Sequence, residues 1–169
     1  MAKNPLADLL GLDPASLVAL LREREETVAT AESLTGGLVT AALTSVPGAS
    51  AVVAGGVVVY ATPLKAALAG VDPALLAEHG PVHPAVAEQL ADGARTACRS
   101  DWGIGLTGVA GPDPQDGIEP GVVHVAVSGG GDTTVRTIGI DGNRHQVRAG
   151  AVRAALDLLM ARLDGTIGV

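Results

Sequence analysis

The sequence predicts an α/β fold: a three-layer α/β/α sandwich with a mixed, mainly parallel sheet of about five strands. The prediction rests on the succession of elements along the chain and on the way in which the strands are connected. From the first strand onward, β-rich or continuously apolar runs alternate with apolar-periodic helical segments in the order β-α-β-α-α-α-β-β-β-α. Strands that are joined by helical crossovers should be parallel, and the two strands that are joined by a tight glycine turn should be antiparallel.

Composition limits the class of protein. The chain has 169 residues, of which 47% are hydrophobic but only 1% aromatic, so Ala, Val and Leu must build the core. A net charge of −7 without a basic stripe argues against binding to a phosphate backbone, and the shortage of aromatic residues argues against stacking on bases. A single cysteine, Cys98, can form neither an intrachain disulfide nor a thiolate metal cage.

We expect one domain over residues 13–165, preceded by a short arm over residues 1–12. The chain shows no cleavable apolar leader and no apolar run of about twenty residues. These features predict a cytoplasmic protein with neither a nucleic acid nor a membrane as its partner.

The first third of the chain predicts a helix, a strand, a second helix and a second strand. Asp13 followed by Pro14 is a typical helix start, with an apolar stripe behind it. Residues 27–31 form a β-rich run that stops at a Gly-rich turn, and residues 37–45 predict the second helix. Residues 57–60 are continuously apolar, which predicts a strand buried on both faces.

The middle of the chain predicts three short or medium helices and one strand. Each helix has a proline at its first or second position, and together they cover residues 62–69, 73–78 and 84–99. Residues 101–107, DWGIGLT, then predict the third strand.

A long loop and a hairpin complete the sheet. Residues 108–121 show no periodicity, and a loop of this length in a compact domain is more often functional than not. Residues 122–127 and 133–140 predict two strands joined by the turn SGGGD. The last helix should begin near Asn143.

The turn after the first strand is the first candidate for chemistry. It places Ser33 outside the carboxyl end of a strand, where open α/β sheets carry their sites. The following residues, Thr35, Gly36 and Gly37, could offer backbone N–H groups to an oxyanion or a phosphate. A plainer alternative stays open, in which the glycines serve only the sharp turn and close packing.

Six segments carry a resemblance to a known family. They are TAESLTGG (30–37), PGAS (47–50) leading to GGVVVY (55–60), Lys65 five residues after Tyr60, LTGVAGP (106–112), PGVVHVAV (120–127) and GNRHQVR (142–148). In this order and spacing, the chain resembles the CinA C-terminal domain family, which includes stand-alone nicotinamide mononucleotide deamidases. The resemblance extends over roughly residues 17–163.

The chain departs from the family pattern in three places. Leu34 stands where the family usually has Cys, which favours Ser33 as the nucleophile. Residues 113–120, DPQDGIEP, replace a pattern that usually carries a Lys, so the contacts of this loop should differ. Larger members carry an additional N-terminal domain similar to molybdopterin-binding proteins, and activities of that domain are not expected here.

The resemblance implies hydrolysis of the carboxamide of nicotinamide mononucleotide to nicotinate mononucleotide and ammonia, without a cofactor. It implies Ser33 as nucleophile, Lys65 as base, and Tyr60 as a residue that assists proton transfer or holds the lysine. Lysine is a base only when neutral, so burial must lower its pKa from about 10.4 to near 7–8. The plainer alternatives are a helix cap, a surface lysine and a strand-end tyrosine.

Further residues are candidates for binding the substrate. Thr107, Gly108 and Gly111 follow the third strand, and they lie beside Ser33 if the first and third strands are neighbours. Thr107 is predicted to offer a hydroxyl to the substrate, or to be an ordinary strand-end residue. Arg144 could bind the 5′-phosphate, or be a solvated charge.

No metal site is expected. The four histidines are scattered without ligand spacing, and the acidic residues Asp113, Asp116 and Glu119 lack the pattern of a calcium loop.

The family tends to assemble, so the resemblance implies a homo-oligomer, a dimer or larger. The alternative function is a non-catalytic nucleotide-binding or protein-interaction module linked to competence and DNA-damage responses.

Overall fold

A five-stranded mixed sheet forms the middle layer of the molecule. The computed structural model describes residue 11 and residues 13–166. The strands are β1 (Val28–Glu32), β2 (Val53–Val58), β3 (Trp102–Gly108), β4 (Val122–Gly129) and β5 (Asp132–Gly139), and they lie in the order β2-β1-β3-β4-β5. β2, β1 and β3 are parallel, and β4 pairs antiparallel with β3 and with β5, so β4 alone runs against the others. The predicted sheet is confirmed.

Helices cover both faces of the sheet. They are α1 (Pro14–Glu23), α2 (Leu38–Thr44), α3 (Thr62–Ala69), α4 (Pro73–His79), α5 (Pro84–Cys98) and α6 (Arg144–Leu163). On one face α1, α2 and α6 pack against each other, and on the other face α3 and α4 pack against α5. Each face has its own apolar core, built mainly from Ala, Val and Leu as the composition predicts.

Polar caps begin the first and last helices where the sequence predicts. The Asp13 side chain accepts a hydrogen bond from the Ala15 N–H at 3.2 Å. Asn143 caps α6 in a capping box with Gln146, in which each side chain binds the backbone of the other. The box fixes the start of α6, and therefore the place of the residues in its first turns.

Glycines in β3 let α5 lie directly on the sheet. A Cβ atom at Gly103 would lie 2.0 Å from the Ala91 carbonyl oxygen, and one at Gly105 would lie 2.3 Å from the Ala87 carbonyl oxygen. Any larger residue would push α5 away from β3.

The prediction for the second strand is wrong in its bounds and in its burial. It covers Val53–Val58 rather than residues 57–60, it lies at the edge of the sheet, and its exposed residues alternate with half-buried ones. Tyr60 lies beyond the strand with 59% of its surface exposed. A run of valines indicates low polarity but not how many neighbouring strands it has, so an edge strand was mistaken for a central one.

The topology brings the ends of several strands to one edge of the sheet. β1, β2, β3 and β5 all run in the same direction, so the turns that follow them lie at the same edge. The predicted arm over residues 1–12 lies outside the described residues, apart from Gly11. Among the described residues, none of the helices combines the length and apolar character needed to span a bilayer.

Candidate active site

A cavity of about 340 Å³ opens at this edge of the sheet. Its walls come from the residues after β1, β2 and β3, from α3, and from the start of α6. The lining residues are Ser33, Leu34, Tyr60, Lys65, Pro81, Val82, Thr107, Gly108, Val109, Ala110, Gly111, Asp113, Pro114, Gln115 and Arg144. Seven of the ten residues predicted for the site therefore line one cavity.

Ser33 and Lys65 form the buried floor of the cavity. The Lys65 Nζ atom lies 3.1 Å from the Ser33 Oγ atom, with 1% of the lysine and 7% of the serine exposed. Ser33 follows the last residue of β1, and Lys65 lies on α3. The alternative that Lys65 is a surface residue is contradicted by its burial, and Ser33 is not the cap of α2, because that position is Gly37.

The Lys65 amino group lies among three oxygen atoms, to which a charged ammonium can donate three hydrogen bonds and a neutral amine two. Besides Ser33, Nζ contacts the carbonyl oxygens of Val59 at 2.8 Å and Tyr60 at 3.4 Å. A neutral amine has two N–H donors, one for each carbonyl, and its lone pair can accept the proton of the Ser33 hydroxyl. Among the described residues, no carboxylate forms an ion pair with this lysine. Burial lowers the pKa of Lys65 from 10.5 to about 8.

Tyr60 and Arg144 lie together at the mouth of the cavity. The Arg144 Nη2 atom donates to the Tyr60 hydroxyl at 2.9 Å, and Nη1 donates to the Gly111 carbonyl oxygen at 2.8 Å. The arginine therefore joins the end of β2, the long loop and α6. Tyr60 contacts Lys65 through its backbone carbonyl oxygen, and its phenol group points to Arg144 instead.

A buried carboxylate holds the turn that carries Ser33. Glu32 is fully buried, and its carboxylate accepts hydrogen bonds from the N–H groups of Gly37 at 3.1 Å, Val39 at 3.0 Å and Thr40 at 2.8 Å. The Thr40 hydroxyl donates to the same carboxylate at 2.8 Å. These bonds tie the end of β1 to the first turn of α2, so Ser33 lies in a tightly held connection.

Two of the predicted N–H donors are engaged within the protein. The Gly36 N–H donates to the Ser33 carbonyl oxygen at 3.0 Å, and the Gly37 N–H donates to Glu32. Thr35, Gly36 and Gly37 also lie outside the cavity wall, and the Thr35 hydroxyl is buried with no hydrogen-bond partner in the part of the chain that the structure describes. The expectation that the two glycines present free N–H groups to a ligand is therefore wrong, because the turn uses them to close itself.

A different N–H group of the turn belongs to a residue that lines the cavity. Leu34, the residue after Ser33, lines the cavity, and its N–H has no acceptor among residues 13–166. Its neighbouring carbonyl groups are held from outside the turn: Arg148 on α6 donates from Nε to the Leu34 oxygen at 3.0 Å and from Nη2 to the Thr35 oxygen at 3.1 Å.

Sequence reasoning did not assign a site role to Glu32 or Arg148. The signal that could have found Arg148 is its spacing of four from Arg144, which puts both arginines on one side of α6. For Glu32, the available signal was a carboxylate at the end of a strand of small, mostly apolar residues.

Thr107, Gly108 and Gly111 lie in the cavity wall beside Ser33, as predicted, because β1 and β3 are neighbours. The Thr107 hydroxyl donates to the Pro81 carbonyl oxygen at 2.6 Å and is buried. This bond joins the end of β3 to the segment before α5, so the hydroxyl already has an acceptor within the protein.

The long loop forms one side of the cavity. Its neck is closed by hydrogen bonds between Val109 and Val122, at 2.9 Å, and between Gly121 and Val109, at 2.8 Å. Asp113, Pro114 and Gln115 line the cavity. The stretch that departs from the family pattern is thus in contact with the space available to a ligand.

The histidines are less scattered than the sequence suggests. The rings of His79 and His83 stack with their centroids 4.4 Å apart. The His124 ring lies 2.8 Å from the Thr137 hydroxyl, and burial, followed by the charge of His83, lowers its pKa. Even so, in the described part of the chain no three His, Cys, Asp or Glu residues are arranged to hold a metal ion.

A second cavity, of about 550 Å³, lies at the opposite end of β3, beside Trp102. Its charged groups are largely paired with one another: Arg24 contacts Glu26 at 2.8 Å, and Arg162 contacts Asp132. None of its lining residues forms a contact like that between Ser33 and Lys65. The first cavity is therefore the candidate active site.

Comparisons with known proteins agree with the fold. Residues 14–163 match the family model of the CinA C-terminal domain. A CinA-like protein from Anaeromyxobacter sp. (strain Fw109-5) is 50% identical over 151 residues, which are 89% of this chain and 37% of that protein. A protein from Geobacillus sp. (strain WCH70), named a putative competence-damage inducible protein, is 40% identical over 86% of this chain and 35% of its own length. The chain thus spans little more than a third of these relatives.

Solved structures share the architecture. The competence/damage inducible protein CihA from Agrobacterium tumefaciens is 32% identical, with a TM-score of 0.85 over 97% of this chain and 98% of that one. A competence or damage-inducible protein from Enterobacter asburiae is 30% identical, with a TM-score of 0.87 over 91% of this chain and 98% of its own. With its sheet order, its buried serine and lysine and these similarities in place, the chain belongs to the CinA C-terminal domain family.

Proposed function

We propose that the protein hydrolyses the carboxamide of nicotinamide mononucleotide to nicotinate mononucleotide and ammonia, with Ser33 as nucleophile and Lys65 as base. The observation that carries the proposal is the 3.1 Å contact between the Ser33 hydroxyl and a buried lysine whose two other contacts are carbonyl oxygens. Burial makes the neutral amine available near physiological pH, and a neutral lysine can activate a serine without a histidine.

In the first half of the reaction, Ser33 Oγ attacks the carboxamide carbon while its proton passes to Lys65 Nζ. The carbonyl oxygen becomes an oxyanion, for which the Leu34 N–H is the available backbone donor. The C–N bond then breaks, and the proton on Lys65 passes to the leaving nitrogen. Ammonia leaves, and the acyl group remains on Ser33.

In the second half, a water molecule attacks the acyl carbon and gives a proton to Lys65. The bond to Ser33 Oγ breaks, and Lys65 returns the proton to the serine. Nicotinate mononucleotide is released, and both residues return to their starting states. The net reaction consumes one water, and no cofactor takes part.

Arg144 is the proposed anchor for the 5′-phosphate. It lies at the mouth of the cavity, and in the described part of the chain it forms no ion pair with a carboxylate. A guanidinium group can form two parallel hydrogen bonds to a phosphate. Tyr60 would hold this arginine in place from the rim of the cavity.

The test is ammonia release from nicotinamide mononucleotide by the purified protein and by Ser33→Ala and Lys65→Arg. Arginine keeps the positive charge but does not give up its proton, so this change isolates the base role. We expect at least a thousandfold loss of kcat in each variant. The matched control is Ser50→Ala, because Ser50 is an exposed serine outside the cavity, and it should retain full activity.

The assay separates the proposal from its alternatives. Ammonia release that is unchanged in Lys65→Arg would remove the lysine from the mechanism. A wild-type protein that binds the nucleotide without releasing ammonia would instead indicate the non-catalytic module, linked to competence and DNA damage as the relatives are named. Turnover of another small amide would keep the chemistry and change the substrate.

We further propose that the protein acts in the cytoplasm on this small molecule, without a nucleic acid or membrane partner. The support is the single cysteine and the net charge of −7.

A further inference from the structure

A fork of two hydrogen bonds from α6 holds the turn that carries the nucleophile. The Arg148 guanidinium donates from Nε to the Leu34 carbonyl oxygen at 3.0 Å and from Nη2 to the Thr35 carbonyl oxygen at 3.1 Å. Arg148 is 114 residues from Leu34 in the chain, so this contact exists only because α6 packs beside the turn. Two parallel bonds from one planar group fix both the position and the orientation of what they hold.

The turn is held by groups of opposite charge. The Glu32 carboxylate accepts from the N–H groups that follow the turn, and the Arg148 guanidinium donates to the carbonyl oxygens within it. The Gly36 N–H closes the turn onto the Ser33 carbonyl oxygen. With these groups occupied, the Leu34 N–H beside the cavity is left without an acceptor among residues 13–166.

We propose that Arg148 is a positioning residue for the proposed hydrolysis. By fixing the Leu34 and Thr35 carbonyl groups, it holds Ser33 Oγ and the Leu34 N–H where both can contact the carbonyl group of the substrate. This inference rests on the proposed function. The Leu34 N–H shares its peptide plane with the Ser33 carbonyl, which the Gly36 N–H holds, and the next peptide plane carries the Leu34 carbonyl, which Arg148 holds. With the peptides on both sides of the Leu34 Cα atom held, rotation of the plane that carries the Leu34 N–H is limited. Misplacement by about an ångström can cost about a hundredfold in rate.

Arg148 does not line the cavity and does not contact Lys65. Its loss should therefore affect the chemical step more than substrate binding, and should leave the titration of the lysine unchanged. A residue with only a structural role would lower the melting temperature without this pattern.

The experiment compares Arg148→Gln, Arg148→Lys and the control Arg136→Gln, an exposed arginine on β5. For Arg148→Gln we expect kcat for nicotinamide mononucleotide to fall about 10- to 100-fold, with KM within about twofold and an unchanged pH midpoint. Arg148→Lys should recover only part of the loss, since lysine keeps the charge but not the fork. Arg136→Gln should match the wild type.

A second measurement needs no substrate turnover. Phosphonylation of Ser33 by a fluorophosphonate, followed by intact mass, reports the reactivity of the serine and its oxyanion donor directly. Arg148→Gln should be labelled at least tenfold more slowly. In Arg148→Ala, ethylguanidinium added to the buffer should restore part of both rates, which a misfolded variant would not show.

The outcomes separate the two proposals. Labelling and turnover at the wild-type rate in a folded Arg148→Gln would overturn the positioning role and leave the amidase intact. If Arg148→Gln is labelled slowly but the wild type releases no ammonia from nicotinamide mononucleotide, the positioning role of Arg148 is supported and the proposed substrate is wrong. A wild type that is neither labelled nor active would overturn both.

Discussion

Lys65 is the residue whose environment matters most for the proposed chemistry. Its side chain is 1% exposed and its three contacts are two carbonyl oxygens and one hydroxyl. A charged ammonium in this place has lost most of its water and has no carboxylate to replace it, so burial lowers its pKa to about 8. The same burial that makes the lysine costly for folding makes it a base.

The activity should therefore rise with pH through about 8, the pKa of Lys65, and level off above it. Below that value the neutral fraction of the lysine, and with it kcat/KM, should fall about tenfold per pH unit. The measurement is kcat/KM for ammonia release between pH 6.5 and 9.5, because the substrate phosphate titrates near pH 6. A profile that is flat over this range would contradict Lys65 as the base.

At the scale of an element, the turn between β1 and α2 depends on one buried anion. The Glu32 carboxylate accepts three backbone N–H groups and the Thr40 hydroxyl, all within 3.1 Å. Bonds to a charged acceptor are stronger than neutral ones, and the donors would be left unpaired without it. The turn that positions Ser33 is thus a local structure with its own stabilising group.

Replacing Glu32 by Gln should lower the free energy of unfolding by about 1–3 kcal/mol, because the amide NH₂ group cannot accept from the N–H groups that face it. Activity should fall as well, since Ser33 is the next residue. Urea unfolding measures the first effect. Glu23→Gln on the exposed face of α1 is the matched control and should change stability by less than about 0.5 kcal/mol. Equal stability of both variants would show that the carboxylate is not needed.

At the scale of the whole molecule, the sheet has two edge strands, β2 and β5, and the exposed apolar side chains lie beside β2. β2 is an edge strand, and beside it lie the largest exposed apolar side chains of the described residues: Val58 (46%), Tyr60 (59%), Leu64 (39%) and Leu68 (50%). An open edge next to an apolar patch is a surface that proteins usually cover. This surface is where we expect the predicted homo-oligomer to form.

Sedimentation of the protein at micromolar concentration should therefore show a dimer or larger species. The double change Leu64→Glu and Leu68→Glu should yield a folded monomer, because it places two charges in the apolar patch. Ala97→Glu, an exposed position on α5, should leave the assembly unchanged. A monomeric wild type, or a double variant that assembles normally, would contradict this expectation.

Much of the site could be predicted from the sequence because several of its residues lie at the ends of strands. Ser33, Thr107 and Gly108 come directly at or after strand ends, and the carboxyl ends of parallel strands meet at one edge of a sheet. Lys65 came from the family resemblance, since a lysine on an apolar helix has no local feature that separates a buried base from a surface charge. Glu32 and Arg148 were not predicted as site residues.

The sequence by itself determined the succession of strands and helices along the chain, their caps, the Ala, Val and Leu core and the turn that carries Ser33. These features depend on residues within a few positions of each other. The tertiary structure alone decided that Lys65 is buried against Ser33, that the Gly36 and Gly37 N–H groups are engaged, and that Arg148 holds the turn from 114 residues away. Such contacts depend on the order of strands in the sheet and on the packing of α6. Local patterns do not encode either.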